Sequence, residues 1–323
     1  MKVGLYFDLR NPPQWYQHPS QLYGFTLDMC QEAEHLGCDS IWVTEHHLFD
    51  DGYMTQPLAF LAAIAARTKT VRLGTAIVIA PLHHPVEIAE QAAMVDIISG
   101  GRLDLGLGAG YRVPEYDLFE ADIAKRYTAT DQSARDIWQL FDTGGLTPKP
   151  VQERLPIWMG YQGPQGARRA GILGAGLLSA SGSLWEPYRD GLLAGGHEIS
   201  VGRMAGGIQG YVTNDPDADW PVVAQHAAYQ TDSYRRHMVQ GTDAPTPRPV
   251  DPDRMRSRGV GNAPLGGFVY GTPQDVATTI RESAADAPVE TVFIWASLGG
   301  TSQEMTARHI QTICTQLRPL LAD

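Results

Sequence analysis

Short apolar runs that read as strands alternate with segments of helical periodicity along this chain. That alternation restricts the fold more than any single motif does. Residues 2–7 form the first run, and Asn11-Pro12-Pro13 forces a loop behind it. Over 20–36 the apolar residues fall at helical spacing and stop at Gly37, a natural C-terminal cap. Then come a strand over 40–43, an Ala- and Leu-rich helix over 57–68 and a β-branched strand over 71–79. A helix after Pro85 ends at Ser99-Gly100-Gly101, and 102–107 is again strand. The second half repeats the pattern more weakly, with strands over 156–159, 176–180, 204–213 and 290–295 and helices over 164–173, 184–194, 216–239, 273–285 and 303–320. Gly206-Gly207 is expected to break the strand over 204–213.

Strand-helix alternation of this kind predicts a parallel sheet with helical crossovers. Eight such pairs in one domain over 1–323 give an α/β fold, a (β/α)8 TIM barrel, with a doubly wound open sheet as the alternative. Residues 240–266 are dense in Pro, Gly and charge, bury little apolar area, and read as a long insertion or lid loop. At 323 residues with 43% hydrophobic, the chain can fill such a core. Its formal charge of −11, with Lys and Arg dispersed, argues against nucleic acid or an anionic membrane as partner. No apolar run approaches the roughly 18 residues of a membrane span and MKVGLYFDLR is no signal peptide, so a cytoplasmic protein is expected. Cys30, Cys38 and Cys314 lack metal-site spacing and read as buried thiols.

In a barrel of this kind functional groups gather at the carboxyl ends of the strands. Those ends carry Phe7-Asp8, Thr44-Glu45-His46-His47, Thr75-Ala76-Ile77, Gly106 to Tyr111, Gly160-Tyr161-Gln162-Gly163, Ser179 with Ser181, and Trp295 to Gly300. One imidazole pair, one carboxylate, aromatics and bare glycine turns suit a flat, phosphorylated ligand. LGLGAGY and GYQGPQGARRAG expose backbone N–H groups that can cradle an anion, the second leading into a helix N-terminus, with Arg168 and Arg126 as supplementary cations. Glycines at strand exits serve tight turns about as often, and no acidic residue follows to complete a dinucleotide fingerprint.

His46 and His47 are either hydrogen-bonded structural histidines or a proton-transfer or metal-binding group. Because Glu45, His46 and His47 are consecutive, alternate residues of an extended chain point apart, which counts against metal. His83 and His84 show no obvious carboxylate beside them. No metal is expected, and His46 is the candidate for proton transfer. Trp15, Tyr16, Tyr53 and Tyr111 fall in loops on the same mouth, as pocket walls or as ordinary rim packing.

Several longer stretches then converge. KVGLYFDLR, GCDSIWVTEHH, RLGTAIVIAPLHHPVEIAEQAAMVDIISGGRLDLGLGAGY, LPIWMGYQGPQGARRAG and YGTPQDVATTI resemble the bacterial luciferase-like flavin monooxygenases over nearly the whole chain. The resemblance implies a barrel using reduced FMN, supplied by a separate NAD(P)H-dependent reductase, with O2 to oxygenate a small, largely apolar substrate. A sister branch transfers hydride with a deazaflavin coenzyme. His46 matches the family's active-site histidine and Glu45 its adjacent carboxylate. Ala76–Ile77 matches a non-prolyl cis peptide beneath the flavin ring. Gly108, Ala109, Gly110, Tyr111, Arg126, Tyr161, Gln162 and Gly163 match the region that holds ring and phosphate, with Phe7, Thr75 and Arg168 beside it. Two departures stand out. Gly108-Ala109 replaces a frequent Cys-Arg, so Arg126 or Arg168 must substitute, and Gln162-Gly163 stands where relatives place a serine. The family also implies a homodimer paired through the helices over 57–68 and 85–99. The 240–266 loop and the loop over 50–55 are expected to close the site.

Overall fold

A computed structural model of the chain describes residues 1–256 and 267–322. The first half runs β1 (Lys2–Phe7), α1 (Pro19–His35), β2 (Ser40–Val43), α2 (Pro57–Arg67), β3 (Arg72–Thr75), β4 (Val78–Ile79), α3 (Pro85–Ser99), β5 (Leu103–Gly108), α4 (Val113–Leu118) and α5 (Arg126–Asp142). The second runs β6 (Ile157–Met159), α6 (Gly163–Leu173), β7 (Gly176–Leu178), α7 (Trp185–Ala194), β8 (Met204–Ile208), β9 (Gly210–Val212), α8 (Pro216–Val239), α9 (Pro252–Met255), β10 (Val269–Gly271), α10 (Pro273–Ala284), β11 (Val289–Trp295), α11 (Gln303–Thr312) and α12 (Arg318–Leu321). All barrel pairings are parallel, in the order β3-β2-β1-β11-β8-β7-β6-β5, and β3 returns to pair with β5, which closes the ring. The eight expected strands are therefore the eight staves of a TIM barrel, and the open sheet is excluded.

Aromatic rings fill the lower interior. Trp42 stacks on Phe293 at 4.5 Å between centroids and meets Trp158 edge-on at 6.4 Å. The neighbouring strands make room by giving up side chains at the paired positions. A Cβ on Gly74 would sit 2.2 Å from the Trp42 ring and one on Gly176 2.3 Å from the Trp158 ring, so both strands need glycine there. Alternate residues such as Ile41, Val43, Leu105 and Leu107 point outward and are sealed by the helices.

Arg102 ties the helix layer to the strands. Its buried guanidinium donates to the carbonyls of Ala65 and Thr68 at the end of α2 and of Val71 just before β3, and its Nε donates to the Ser99 carbonyl at the end of α3. Carbonyls that helix ends leave without partners are thus satisfied by one side chain. Two expectations are corrected. The stretch 204–213 divides at Gln209 rather than at Gly206-Gly207, which remain in β8 opposite Val292 and Phe293. β9 leaves the barrel to pair with β10, and Tyr211, Trp220, Phe268 and Leu298 build a small second core around it. The terminal helix widens into a π turn over Ile313–Leu317 between α11 and α12. Of the expected 240–266 loop, 257–266 lie outside the described residues. Its earlier part packs against α8, where Asp232 accepts from the Val250 N–H.

Candidate active site

β2 ends in Thr44-Glu45-His46-His47, and its alternation places Glu45 and His47 together with His46 on the other side. His46 lies at the base of a cavity of about 450 Å³ at the carboxyl ends of the strands. Its Nδ1 is 2.8 Å from Glu115 Oε1, and its Nε2 is 3.3 Å from the Tyr111 hydroxyl. Burial pushes the imidazole below its ordinary pKa, and the charges of Arg112 and Arg10 add to this against the opposing pull of Glu115. His46 is therefore neutral at neutral pH, with Nδ1–H donating to Glu115 and a lone pair on Nε2.

Glu115, on α4, was not singled out from sequence. Burial pushes its carboxyl up, but bonds from His46 Nδ1 and the His47 N–H, and the Arg112 charge, outweigh this and hold it below the usual range. Arg112 also donates to the His47 carbonyl, to Gln240 and to the His237 carbonyl, so the anion is embedded in a rigid frame. The only sequence clue was a charged Arg-x-x-Glu spacing at the start of a short helix, which is common on ordinary helices.

Glu45 has a different set of partners. One oxygen meets His47 Nε2 at 2.8 Å and His83 Nε2 at 2.6 Å, and the other accepts from the Ile79 N–H. His83 does have a carboxylate beside it, which corrects the sequence reading, because the β3–β4 turn brings it over from 38 residues away. The three side chains place ligand atoms within 4.8 Å of one another, and their spacings are those of hydrogen bonds. Burial opposes charge on His83, but the Glu45 bond and charge outweigh it and raise its pKa.

The remaining candidates divide between cavity and frame. Ala76, Ile77, Ala109, Gly110, Tyr111, Tyr161 and Gln162 line the cavity, and the Ala76–Ile77 peptide is cis. Gly108 lies beneath, against Ile77. Phe7 points into the outer core, and by alternation Tyr6 faces the cavity in its place. Thr75 exchanges hydrogen bonds with the Gly106 backbone and works as a strut. Gly163 opens α6 at φ +70°. Arg126 stacks its guanidinium on Tyr127, 4.6 Å from the ring centroid, with a buried Nε lacking a partner among the described residues. Arg168 is exposed, and the neighbouring Arg169 pairs instead with Asp131, which also accepts from the Tyr161 hydroxyl. Of the four aromatic loop residues, Tyr53 and Tyr111 line the cavity, Trp15 packs on His226 and Tyr16 faces solvent.

A closed (β/α)8 barrel with a histidine–carboxylate pair under an aromatic cavity at its carboxyl face belongs to the TIM-barrel enzymes. Within that class the chain belongs to the luciferase-like monooxygenase family, whose model matches residues 1–291. It is 34% identical over 165 residues to the oxygenase component of a flavin-dependent trigonelline monooxygenase from Acinetobacter baylyi, covering 46% of this chain and 46% of that one. It is 28% identical over 187 residues to an F420-dependent glucose-6-phosphate dehydrogenase from Amycolatopsis mediterranei, 52% of this chain and 56% of the other. The chain thus spans about half the length of these curated relatives. The crystal structure of the monooxygenase RslO1 from Streptomyces bottropensis superposes with a TM-score of 0.79 at 23% identity over 99% of both chains.

Proposed function

We propose that the protein is the oxygenase component of a two-component system, using reduced FMN and O2 to oxygenate a small, largely apolar organic molecule. The observation that carries this reading is the neutral His46 dyad in a cavity whose described lining contains no Lys or Arg. The cavity suits a flat ring, with tyrosines on its walls and glycine at the strand ends beneath it. Ser179, Ser181 and Gln162 offer neutral donors to one terminal phosphate, and Arg126 lies behind Tyr127. A deazaflavin coenzyme carries a longer, multiply anionic side chain, which a cavity whose described lining lacks Lys and Arg, in a chain of charge −11, disfavours.

Bound reduced flavin would supply the electrons that activate O2. The chain's own part is proton handling and exclusion of water. His46 Nε2 takes a proton from a group in the cavity, and Glu115 holds Nδ1–H and stabilises the imidazolium that forms. Tyr111, Tyr161 and Ile77 keep bulk water from the ring site. A cytoplasmic flavin reductase completes the system. The protein works as a homodimer pairing through α2 and α3, where Ala59, Ala66, Met94 and Ile98 remain exposed.

Anaerobic titration with reduced FMN and with reduced deazaflavin coenzyme tests the assignment. FMN is expected to bind tighter, and the complex to consume O2. Tighter deazaflavin binding without O2 consumption would replace this reading with hydride transfer. His46→Ala is expected to lower turnover by roughly 10²–10⁴-fold while leaving FMN affinity within error, and stopped-flow oxidation measures both.

A further inference from the structure

On the side of β2 away from His46, three side chains turn toward one point. Glu45 Oε1 is 2.8 Å from His47 Nε2 and 2.6 Å from His83 Nε2, and the three ligand atoms all lie within 4.8 Å of one another. The objection that consecutive residues point apart does not apply to this set. Glu45 and His47 are two positions apart and share a side of the extended chain, and the third member comes from the connection between β4 and α3. Two imidazoles and one carboxylate are a donor set suited to divalent cations of the zinc class. The proton path through His46 and Glu115 uses neither of these histidines.

The surroundings supply what a bound cation needs. Glu45 Oε2 accepts from the Ile79 N–H at 2.8 Å, which fixes the carboxylate and leaves Oε1 aimed at the histidines. The Phe119 ring lies against both imidazoles, 4.7 Å from that of His47 and 5.8 Å from that of His83 between centroids, and gives them an apolar backing. An entry path is present as well. A narrow pocket of about 10 Å³ between α2 and α3, room for about one water, is lined by Glu45, His83, Gln56 and Gln91. Both glutamines are exposed, so the pocket communicates with solvent. Among the described residues, Glu45 alone lines both this pocket and the large cavity, whereas His83 lines only the pocket. The hydrogen-bonded spacings are those of a ligand set closed on its protons, because protons and metal ions compete for the same lone pairs. Zn–N and Zn–O bonds of about 2.0–2.1 Å in a tetrahedron set neighbouring ligand atoms roughly 3.3 Å apart, so each histidine withdraws by roughly 0.5–0.7 Å and shifts its proton to Nδ1. His83, which keeps part of its ring open to solvent, has room for that movement.

We propose that Glu45, His47 and His83 bind one zinc-class divalent cation through Oε1 and the two Nε2 atoms, with water from the outer pocket as the fourth ligand. The ion pins the connection after β4 to the end of β2 and acts as a clamp, apart from the proton transfer at His46. This site stands independently of the flavin reading of the large cavity.

Zinc chloride alone is the probe, titrated by calorimetry into the full chain after dialysis against a chelator. One ion per chain is expected to bind with a dissociation constant of about 1 μM. His83→Ala is expected to weaken binding by at least about 100-fold with an unchanged circular dichroism spectrum, and His84→Ala, at the exposed neighbour, to leave it as it was. Cobalt(II) in place of zinc should give the intense visible absorption of a four-coordinate site in wild type and lose it in His83→Ala, which a merely structural role would not produce. If His83→Ala is unfolded, His83→Gln, which can keep a hydrogen bond to Glu45, takes its place under the same criteria. A wild-type dissociation constant above about 10 μM or equal affinity in the His83 variant overturns the proposal. Loss of binding in His84→Ala also overturns it, since surface histidines would then hold the ion.

Discussion

Glu115 Oε1 accepts from the His46 ring, the His47 backbone N–H and Arg112, at 2.8, 2.9 and 3.2 Å. One atom therefore fixes the histidine's tautomer, its orientation and the course of the chain past β2. Its negative charge raises the His46 pKa against burial, the larger influence, which lowers it. Replacing the charge in Glu115→Gln leaves burial less opposed, so the pKa falls further. The acidic limb of the kcat/KM profile, below which protonated His46 cannot accept a proton, should move to lower pH in that variant. Turnover should drop by about 10- to 100-fold, as when a histidine loses its orienting carboxylate. An unmoved limb would show that another group titrates there. Sequence identified His46 by type and place, but not Glu115, because the two are 69 residues apart and only the packing of α4 over β2 unites them.

The splitting of 204–213 also has an energetic signature at the level of the element. β9 is held by His309 of α11, which stacks on Tyr211 with ring centroids 4.0 Å apart, accepts from the Val212 N–H at 2.9 Å, and bonds the Ala296 carbonyl at 3.2 Å. Burial, the larger cause, pushes the His309 pKa down to about 4 despite the bond to Ala296. A depressed histidine contributes stability that is fully present above its unfolded value near 6.5 and is lost as pH falls through 4. The loss amounts to about 3 kcal/mol. Urea unfolding between pH 7 and 4 should show this decline, and His309→Gln should flatten it while lowering stability at pH 7. The strand run itself was legible in the sequence. Its division was not, because the exit of β9 depends on β10, almost 60 residues later in the chain.

For the molecule as a whole, the expected dimer is testable on its surface. Met94 and Ile98, one helical turn apart on α3, are 48% and 44% exposed, next to the alanine face of α2. Charges there would be buried unpaired in a dimer but solvated in a monomer. Met94→Glu with Ile98→Glu should give a monomer by light scattering with its circular dichroism and FMN binding intact. A dimer in the double variant would place the interface elsewhere. Among the described residues no helix is long and apolar enough to cross a membrane.

The sequence by itself determined a parallel sheet of eight strands with helical crossovers, since eight apolar runs separated by helical segments have few ways to bury both faces of every strand. Closure into a barrel was decided by the pairing of β3 with β5. The cis peptide at Ala76–Ile77 followed only from the resemblance to the luciferase-like family, whereas the strand ends that carry chemistry, His46 and the glycine exits among them, followed from position along the chain. Local periodicity is enough for such inferences. Only the tertiary structure decided the partners: Glu115 for His46, Glu45 for His83, Tyr6 in place of Phe7 at the cavity, and the meeting of Tyr53 with Tyr234 across 181 residues. A hydrogen bond depends on separations of a few tenths of an ångström. Spacing along the chain carries no such information until closure of the barrel brings the strand ends and helices to one mouth.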